Sequence, residues 1–216
     1  MLTYDEVATI VGTGMGTEAG IHADLAAFEC ARKARLDEKQ RAAGNPSSSG
    51  EGATIGTLGH ALLAAYHLKP HRPTLAEWPR PLEEAWPVDD PLSIALTEAW
   101  RVFLGYTQRF DPFRWGMPIA VEQLIECTLP NGIRKTGRID LVCNAPEGIW
   151  LVDHKVYGQK RSNMHMMFAN DAQPLLYMYA YEAMTGVRPQ GFIVNVLIRH
   201  AKLTNDSFAT VVVEPP

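Results

Sequence analysis

Two short apolar runs joined by turn-forming residues constrain the fold of this chain more than any other feature. Residues 138–142 and 149–152 are rich in apolar and β-branched side chains, which is typical of strands. The residues between them, 144–148, are Asn, Ala, Pro, Glu and Gly and predict a turn. The sequence therefore predicts a β-hairpin with Asp140 on one strand and Asp153 at the end of the other.

The chemistry of this hairpin follows from the alternation of side chains along a strand. Asp153 and Lys155 share one face, and His154 points away from it. If Asp140 faces the same way, two carboxylates and an ammonium group converge where unpaired charge is costly. Such oxygen ligands suit Mg²⁺ or Mn²⁺, which acidify water and stabilise charge on a phosphate. Asp140 alone, or Asp153 with Lys155 alone, is also compatible with ordinary surface charges.

Further short motifs accompany the hairpin in a fixed order along the chain. They are Phe28 to Lys33, Gly56-Thr57-Leu58-Gly59-His60, Gly137 with Asp140, Asp153 with Lys155, and Gln173 with Tyr177. The ordered set resembles the PD-(D/E)xK nuclease superfamily, and within it the RecB-like exonuclease branch that includes Cas4-type nucleases. The resemblance extends from about residue 22 to residue 200.

The resemblance implies a role for each matching residue. The implied metal ligands are His60, Asp140, Asp153 and the backbone carbonyl of His154, and the ion is Mg²⁺ or Mn²⁺. The implied catalytic residues are Lys155 and the two carboxylates of Asp140 and Asp153. Substrate-positioning roles fall to Gln173, Tyr177 and Arg138. Glu122, in an apolar run before the hairpin, is a further acidic candidate, and a solvated strand residue is the equal alternative for it.

Cysteine usage separates this chain from relatives that hold an iron–sulfur cluster. Such clusters need four thiolates or close equivalents, and this chain has Cys30, Cys127 and Cys143, with none later. We expect no cluster and interpret Cys30 as a small buried apolar residue. Three cysteines without dense spacing favour a reducing compartment.

Composition is that of a globular protein without a membrane span. The 216 residues are 46% apolar and 20% charged, which predicts a single domain over residues 1–216. No apolar run approaches the length of a membrane span, and no signal-peptide pattern is evident. We expect a cytoplasmic protein of a bacterial or phage-infected host cell.

Charge distribution gives a modest indication of nucleic-acid binding. The net charge of −4 exerts no global attraction for nucleic acid. Residues 131–161 nevertheless contain six basic and three acidic residues, a local excess that suits a phosphate backbone. A mixed-charge surface is the alternative.

Periodicity and breaker residues predict an α/β domain with a mixed central sheet flanked by helices, the restriction-endonuclease-like core. Helices are expected at 22–43, after a cap at Thr54 or Thr57 to about Leu68, at 92–110, and from a cap at Asn170 or Asp171 to about Thr185. Two further strands are expected at 191–198 and 209–213. A flexible loop near 43–53 and a Pro-rich connection near 69–91 separate the first helices.

Some sequence features in the first 71 residues resemble binding sites but also have simpler interpretations. Residues 11–16 approach a dinucleotide-binding loop, but the third glycine comes one position early. His67 and His71 match none of the motifs and are predicted to be surface residues. A lone histidine such as His60 on an apolar helix is often a core residue, and the resemblance favours a ligand.

The function expected from these motifs is that of a metal-dependent deoxyribonuclease. An exonuclease acting on DNA ends in recombination, repair or phage replication fits the resemblance. A structure- or site-specific endonuclease, or a catalytically silent nucleic-acid-binding or assembly subunit, is the alternative. The expected partner is DNA, and a homo-oligomer or a recombination partner protein is compatible with the sequence.

Overall fold

The sheet of this protein has helices on both of its faces. The structure is a computed structural model that describes residues 21–22, 51–68, 91–160 and 162–215. In chain order the elements are β1 (Ile21–His22), α1 (Glu51–Leu68), α2 (Pro91–Thr107), β2 (Met117–Thr128), β3 (Arg134–Ala145), β4 (Gly148–Tyr157), α3 (Met164–Ala169), α4 (Ala172–Thr185), β5 (Gly191–Ile198), a 3₁₀ turn (Asn205–Ser207) and β6 (Phe208–Val213).

The sheet mixes parallel and antiparallel pairs, as the sequence predicts. Its order is β1-β3-β4-β5-β6, and β2 also pairs with β3. The predicted hairpin is the antiparallel pair β3–β4, whereas β4 and β5 are parallel and are connected through α3 and α4. The α/β fold class with a mixed, helix-flanked sheet is therefore confirmed.

Strand β5 shows how the two faces are divided between the helices. Val196 and Ile198 pack into the cluster that contains the side chains of α4, whereas Leu197 packs into the cluster formed with α1 and α2. Neighbouring residues of a strand point to opposite faces, so α4 covers one face and the α1–α2 pair covers the other. All eight residues of β5 are buried, because both faces are covered.

Helix α4 begins and ends at the residues that the sequence predicts. The Asp171 side chain accepts a hydrogen bond from the Gln173 backbone N–H at 2.9 Å, and this satisfies one of the free N–H groups at a helix start. Pro174 lies in the first turn, where it removes no helical hydrogen bond. Gly186 ends the helix in the left-handed conformation, with φ of 74°.

Several predicted boundaries are wrong. Helix α1 already begins at Glu51, so the loop predicted to reach residue 53 ends earlier and Thr54 and Thr57 lie inside the helix.

Helix α2 ends at Thr107, three residues before its predicted end. The Arg109 guanidinium donates to the Gly105 carbonyl at 2.8 Å and so satisfies a terminal acceptor of this helix. The Phe110 backbone N–H returns to the Tyr106 carbonyl at 3.0 Å. Both bonds satisfy carbonyl groups of the last turn of the helix.

Other predicted features lie outside the described residues. They are residues 11–16, 23–50 and 69–90, which include the Phe28 to Lys33 motif, Cys30, His71, most of the predicted loop and the Pro-rich connection. His22, at the start of the first predicted helix, belongs to strand β1. None of the helices within the described ranges is long and apolar enough to cross a membrane.

Candidate active site

The two hairpin carboxylates lie where the pairing of β3 with β4 ends. The last paired residues are Leu141 and Val152, and Asp140 and Asp153 are the next residues beyond them. Instead of continuing the ladder, the Asp140 carboxylate accepts a hydrogen bond from the His154 backbone N–H at 2.6 Å. Asp140 therefore lies in the gap between the strands, and Asp140 and Asp153 are only 7% and 3% exposed.

Glu122 on β2 faces the same gap from the other side of β3. The pairs Val121–Leu141 and Gln123–Ile139 place Glu122 opposite Asp140. Its φ is 54°, the one positive value for a non-glycine residue in the described part of the chain. Such backbone strain concentrates at functional sites. The Glu122 Oε1 atom is buried and has no hydrogen-bond partner among the described residues, so this carboxylate has an unused ligand atom.

Helix α1 brings a histidine to the same place. The His60 Nδ1 atom lies 3.3 Å from Oδ1 of Asp140. One ligand atom from each of His60, Glu122 and Asp140 lies within 4.8 Å of the others. Two carboxylates and one imidazole form a donor set that suits a divalent ion with an oxygen preference, such as Mn²⁺ or Mg²⁺.

Burial and mutual contacts shift the pKa of all three residues of this group in the metal-free protein. Burial acts to lower the pKa of His60, but Asp140 outweighs it and raises that pKa to about 9. Burial would raise the pKa of Asp140, yet His60 and the His154 N–H hold it at about 2. Burial, with Asp140 beside it, raises the pKa of Glu122 to about 7. In the metal-free protein the charge on protonated His60 therefore offsets that of Asp140. A divalent cation would displace the His60 proton, and the imidazole and two carboxylates then form a donor set that fits it.

Asp153 and Lys155 form an ion pair on the α4 face of the sheet. The Lys155 Nζ atom lies 2.8 Å from Oδ2 of Asp153 and donates to Oε1 of Gln173 at 3.1 Å. Burial acts to lower the pKa of Lys155, but Asp153 raises it above its usual value, so the ammonium stays charged. Burial also raises the pKa of Asp153, and the opposing effect of Lys155 does not cancel this.

Close packing of the Tyr177 ring against β3 explains why position 137, three residues before Asp140, is a glycine. A Cβ atom on Gly137 would lie 2.7 Å from Cε1 of the buried Tyr177 ring, closer than non-bonded atoms pack. The glycine therefore allows α4 to approach β3. That approach brings Gln173, one helical turn before Tyr177, within hydrogen-bond distance of Lys155.

Two predicted site residues make contacts that the motifs do not specify. Arg138 lies 3.5 Å from Oε2 of Glu122, so its guanidinium borders the carboxylate cluster. The His154 side chain lies on the α1 face, where its Nδ1 atom is 2.8 Å from Nδ2 of Asn195. A substrate role for Arg138 and a ligand role for the His154 carbonyl stay predictions.

The prediction that His67 is a surface residue is wrong. His67 is 3% exposed, and its ring stacks on His154 with 5.5 Å between ring centroids and an interplanar angle of 6°. Burial lowers the pKa of His67 to about 4. His60 and His67 are seven residues apart and so share one helix face, which was the available sequence signal. The second missed residue is Asn195, a polar side chain in the otherwise apolar run of β5.

Comparison with known families agrees with this geometry. Residues 25–213 match the model of the PD-(D/E)XK nuclease superfamily. The chain belongs to that superfamily, whose members are nucleases that typically use divalent metals.

A solved structure shares the fold. The protein described as "Crystal structure of SSO0001" superposes with a TM-score of 0.52 at 12% sequence identity, covering 100% of this chain and 79% of that chain. At this identity the likeness concerns the fold alone. No curated protein matches the sequence significantly.

Replacing His60 tests whether this residue binds metal or only packs in the core. We expect His60→Ala to weaken Mn²⁺ binding, measured by calorimetric titration, by at least the roughly 10–100-fold that lost supporting residues cost at metal sites. The melting temperature of the metal-free protein should fall less than in Leu62→Ala, a buried control on the same helix that costs about 2–5 kcal/mol. A lower melting temperature with unchanged Mn²⁺ affinity would identify His60 as a core residue.

Proposed function

We propose that this protein is a Mg²⁺- or Mn²⁺-dependent deoxyribonuclease that hydrolyses phosphodiester bonds at DNA ends, as an exonuclease of the RecB-like branch. The observation that carries the proposal is the convergence of His60, Glu122 and Asp140 within 4.8 Å, beside the Asp153–Lys155 ion pair. The superfamily supplies the reaction class. The contacts of the individual residues support their assigned roles.

The proposed metal ligands are His60, Glu122 and Asp140, with Asp153 as the adjacent carboxylate. A divalent ion held there would polarise the scissile phosphate and activate a water molecule. Asp140 is suited to a fixed ligand position because the His154 backbone N–H holds its second oxygen. Glu122 is suited to accept an ion because its Oε1 atom has no protein partner among the described residues.

Lys155 is the proposed electrostatic catalyst. The Gln173 amide and the Asp153 carboxylate restrain its ammonium group from two sides, so little reorganisation is needed when substrate arrives. A fixed positive charge of this kind stabilises the negative charge that develops on the phosphate in the transition state. Tyr177 packs beneath this arrangement against β3 and supports the position of Gln173.

The preference for DNA ends rests on the motifs particular to the RecB-like branch. These are the early histidine, His60, and the Gln173–Tyr177 pair. The structure brings His60 next to Asp140 and Gln173 next to Lys155, which is the arrangement that a shared site requires. A homo-oligomer or a recombination partner protein is compatible with this proposal.

Linear and covalently closed circular DNA of the same sequence distinguish the candidate functions. We expect the purified protein to degrade the linear form with Mg²⁺ or Mn²⁺, to leave the circle intact and to stop when EDTA is added. Nicking or linearisation of the circle would favour an endonuclease. Binding of DNA without cleavage under all metal conditions would indicate a silent subunit and contradict the proposed activity.

A further inference from the structure

Asn195 is a buried amide in a strand whose other buried side chains are apolar. It lies in the middle of β5, it is 0% exposed, and its Nδ2 atom lies 2.8 Å from Nδ1 of His154. The two residues are also paired in the parallel β4–β5 ladder. The amide therefore fixes the orientation of the His154 ring from the neighbouring strand.

His154 connects this amide to the candidate metal ligands. Its backbone N–H donates to Oδ2 of Asp140 at 2.6 Å, and its ring meets the His60 ring edge-on, with 6.4 Å between centroids. The His154 ring also stacks in parallel on the His67 ring and makes a tilted contact with the Trp115 ring, with 6.1 Å between the centroids of His154 and Trp115. A displacement of the His154 side chain would shift the backbone N–H that holds Asp140 and would alter the surroundings of His60.

Stability alone does not explain a polar pair at this position. The Nε2 atom of His154 is buried without a hydrogen-bond partner among the described residues, whereas the Tyr106 hydroxyl is a neighbour of the Asn195 amide. A buried polar group without a partner costs about 1–3 kcal/mol, and an apolar side chain of the same shape would avoid that cost. The pair is thus better explained by the orientation that it imposes than by the stability that it adds.

We infer that Asn195 is a positioning residue that holds the Asp140 carboxylate in place through the ring and the backbone N–H of His154. This inference rests on the proposed function for its effect on catalysis. The positioning itself is a property of the metal-free protein and can be measured without any activity. Partners of metal ligands of this kind typically contribute about 10–100-fold to metal affinity or activity.

The first readout is the backbone amide signal of His154 in the metal-free protein, measured by NMR. A short hydrogen bond to a carboxylate shifts an amide proton downfield. We expect Asn195→Leu to move this signal upfield and to speed exchange of the amide proton with solvent, because the hydrogen bond from the His154 N–H to Asp140 becomes longer and weaker. Asn195→Ser, a smaller change, serves the same comparison where the leucine variant does not fold.

The second readout is metal binding and turnover. We expect Asn195→Leu to weaken Mn²⁺ binding by about 10–100-fold and to lower kcat at fixed Mn²⁺, while KM for DNA stays unchanged. The matched control is Thr107→Val, which removes a fully buried hydroxyl that donates to the Leu104 carbonyl in α2. This control should lower the melting temperature and leave the His154 amide, Mn²⁺ affinity and kcat as they are.

The outcomes separate this inference from the proposed function. A wild-type protein without Mn²⁺ binding or nuclease activity would contradict the proposed function, and an upfield shift of the His154 amide in Asn195→Leu would still support the positioning of Asp140. An unchanged His154 amide together with unchanged Mn²⁺ affinity and kcat would overturn the inference. Asn195 would then be a packing residue like Thr107.

Discussion

Replacing Asp140 by asparagine should abolish DNA cleavage and also destabilise the metal-free protein. The carboxylate accepts from the His154 N–H at 2.6 Å and lies 3.3 Å from the His60 ring. His60 and the His154 N–H lower its pKa to about 2 against the effect of burial, so the folded protein favours the charged form. We expect Asp140→Asn to lower the free energy of unfolding by about 1–3 kcal/mol, the range for a buried group that loses a partner.

Asp153→Asn is the matched comparison for this prediction. Cleavage should again be abolished, because fewer carboxylates hold Mg²⁺ weakly against its preference for water. Burial raises the pKa of Asp153, but Asp153→Asn also leaves the Lys155 ammonium without its ion-pair partner. The double variant Asp153→Asn/Lys155→Met removes both charges and should leave the metal-free stability unchanged or slightly higher. Chemical unfolding in EDTA measures Asp140→Asn and the double variant. Equal destabilisation of these two, or full activity in Asp140→Asn or Asp153→Asn, would contradict this account of the two carboxylates.

Replacing Lys155 by alanine should lower turnover by about 10²–10³-fold, the typical loss when one preorganised electrostatic contact to a transition state is removed. The ammonium is held by Asp153 at 2.8 Å and by Gln173 at 3.1 Å, and it is not one of the proposed ligands. Mn²⁺ affinity and the fold should therefore be nearly unchanged. Single-turnover cleavage at saturating Mn²⁺ measures the chemical step without the contribution of DNA binding.

Lys202→Ala is the control for the lost positive charge. Lys202 is exposed and lies in the connection between β5 and β6, so its removal should change the salt dependence of DNA binding more than the chemical step. If Lys155→Ala kept wild-type turnover, Lys155 would be only a structural residue of β4. A loss of Mn²⁺ affinity equal to the loss of turnover would place Lys155 in the metal site rather than beside it.

Local sequence signals were sufficient for the hairpin and for α4. The apolar runs around residues 144–148 defined β3 and β4 because turn formers leave few alternatives there. Asp171 and Gly186 bounded α4 because capping depends on nearby backbone groups alone. The start of helix α1 has no such signal, since glutamate, glycine and threonine near residue 51 are compatible with both a loop and a first turn.

The ordered motifs predict that His60 lies beside Asp140 and Gln173 beside Lys155, as the contacts show. They do not predict that Glu122 joins His60 and Asp140 in one cluster. Asp153 and Lys155 are neighbours on a strand face, and so their pairing follows from alternation. The positive φ of Glu122 and the contact of Asn195 with His154 depend on strands that are distant in sequence. Neither has a local signal beyond a polar residue in an apolar run, and so both emerged only from the three-dimensional arrangement.

Diffraction from crystals grown with Mn²⁺, recorded at the manganese absorption edge, tests the central claim most directly. We predict an anomalous peak enclosed by His60, Glu122 and Asp140, next to Asp153 and on the side of the strand gap from which Lys155 can reach a bound phosphate. The peak should disappear in Asp140→Asn crystals prepared in the same way. No peak at these three residues in wild-type crystals, or a peak only elsewhere on the protein, would contradict the proposed active site.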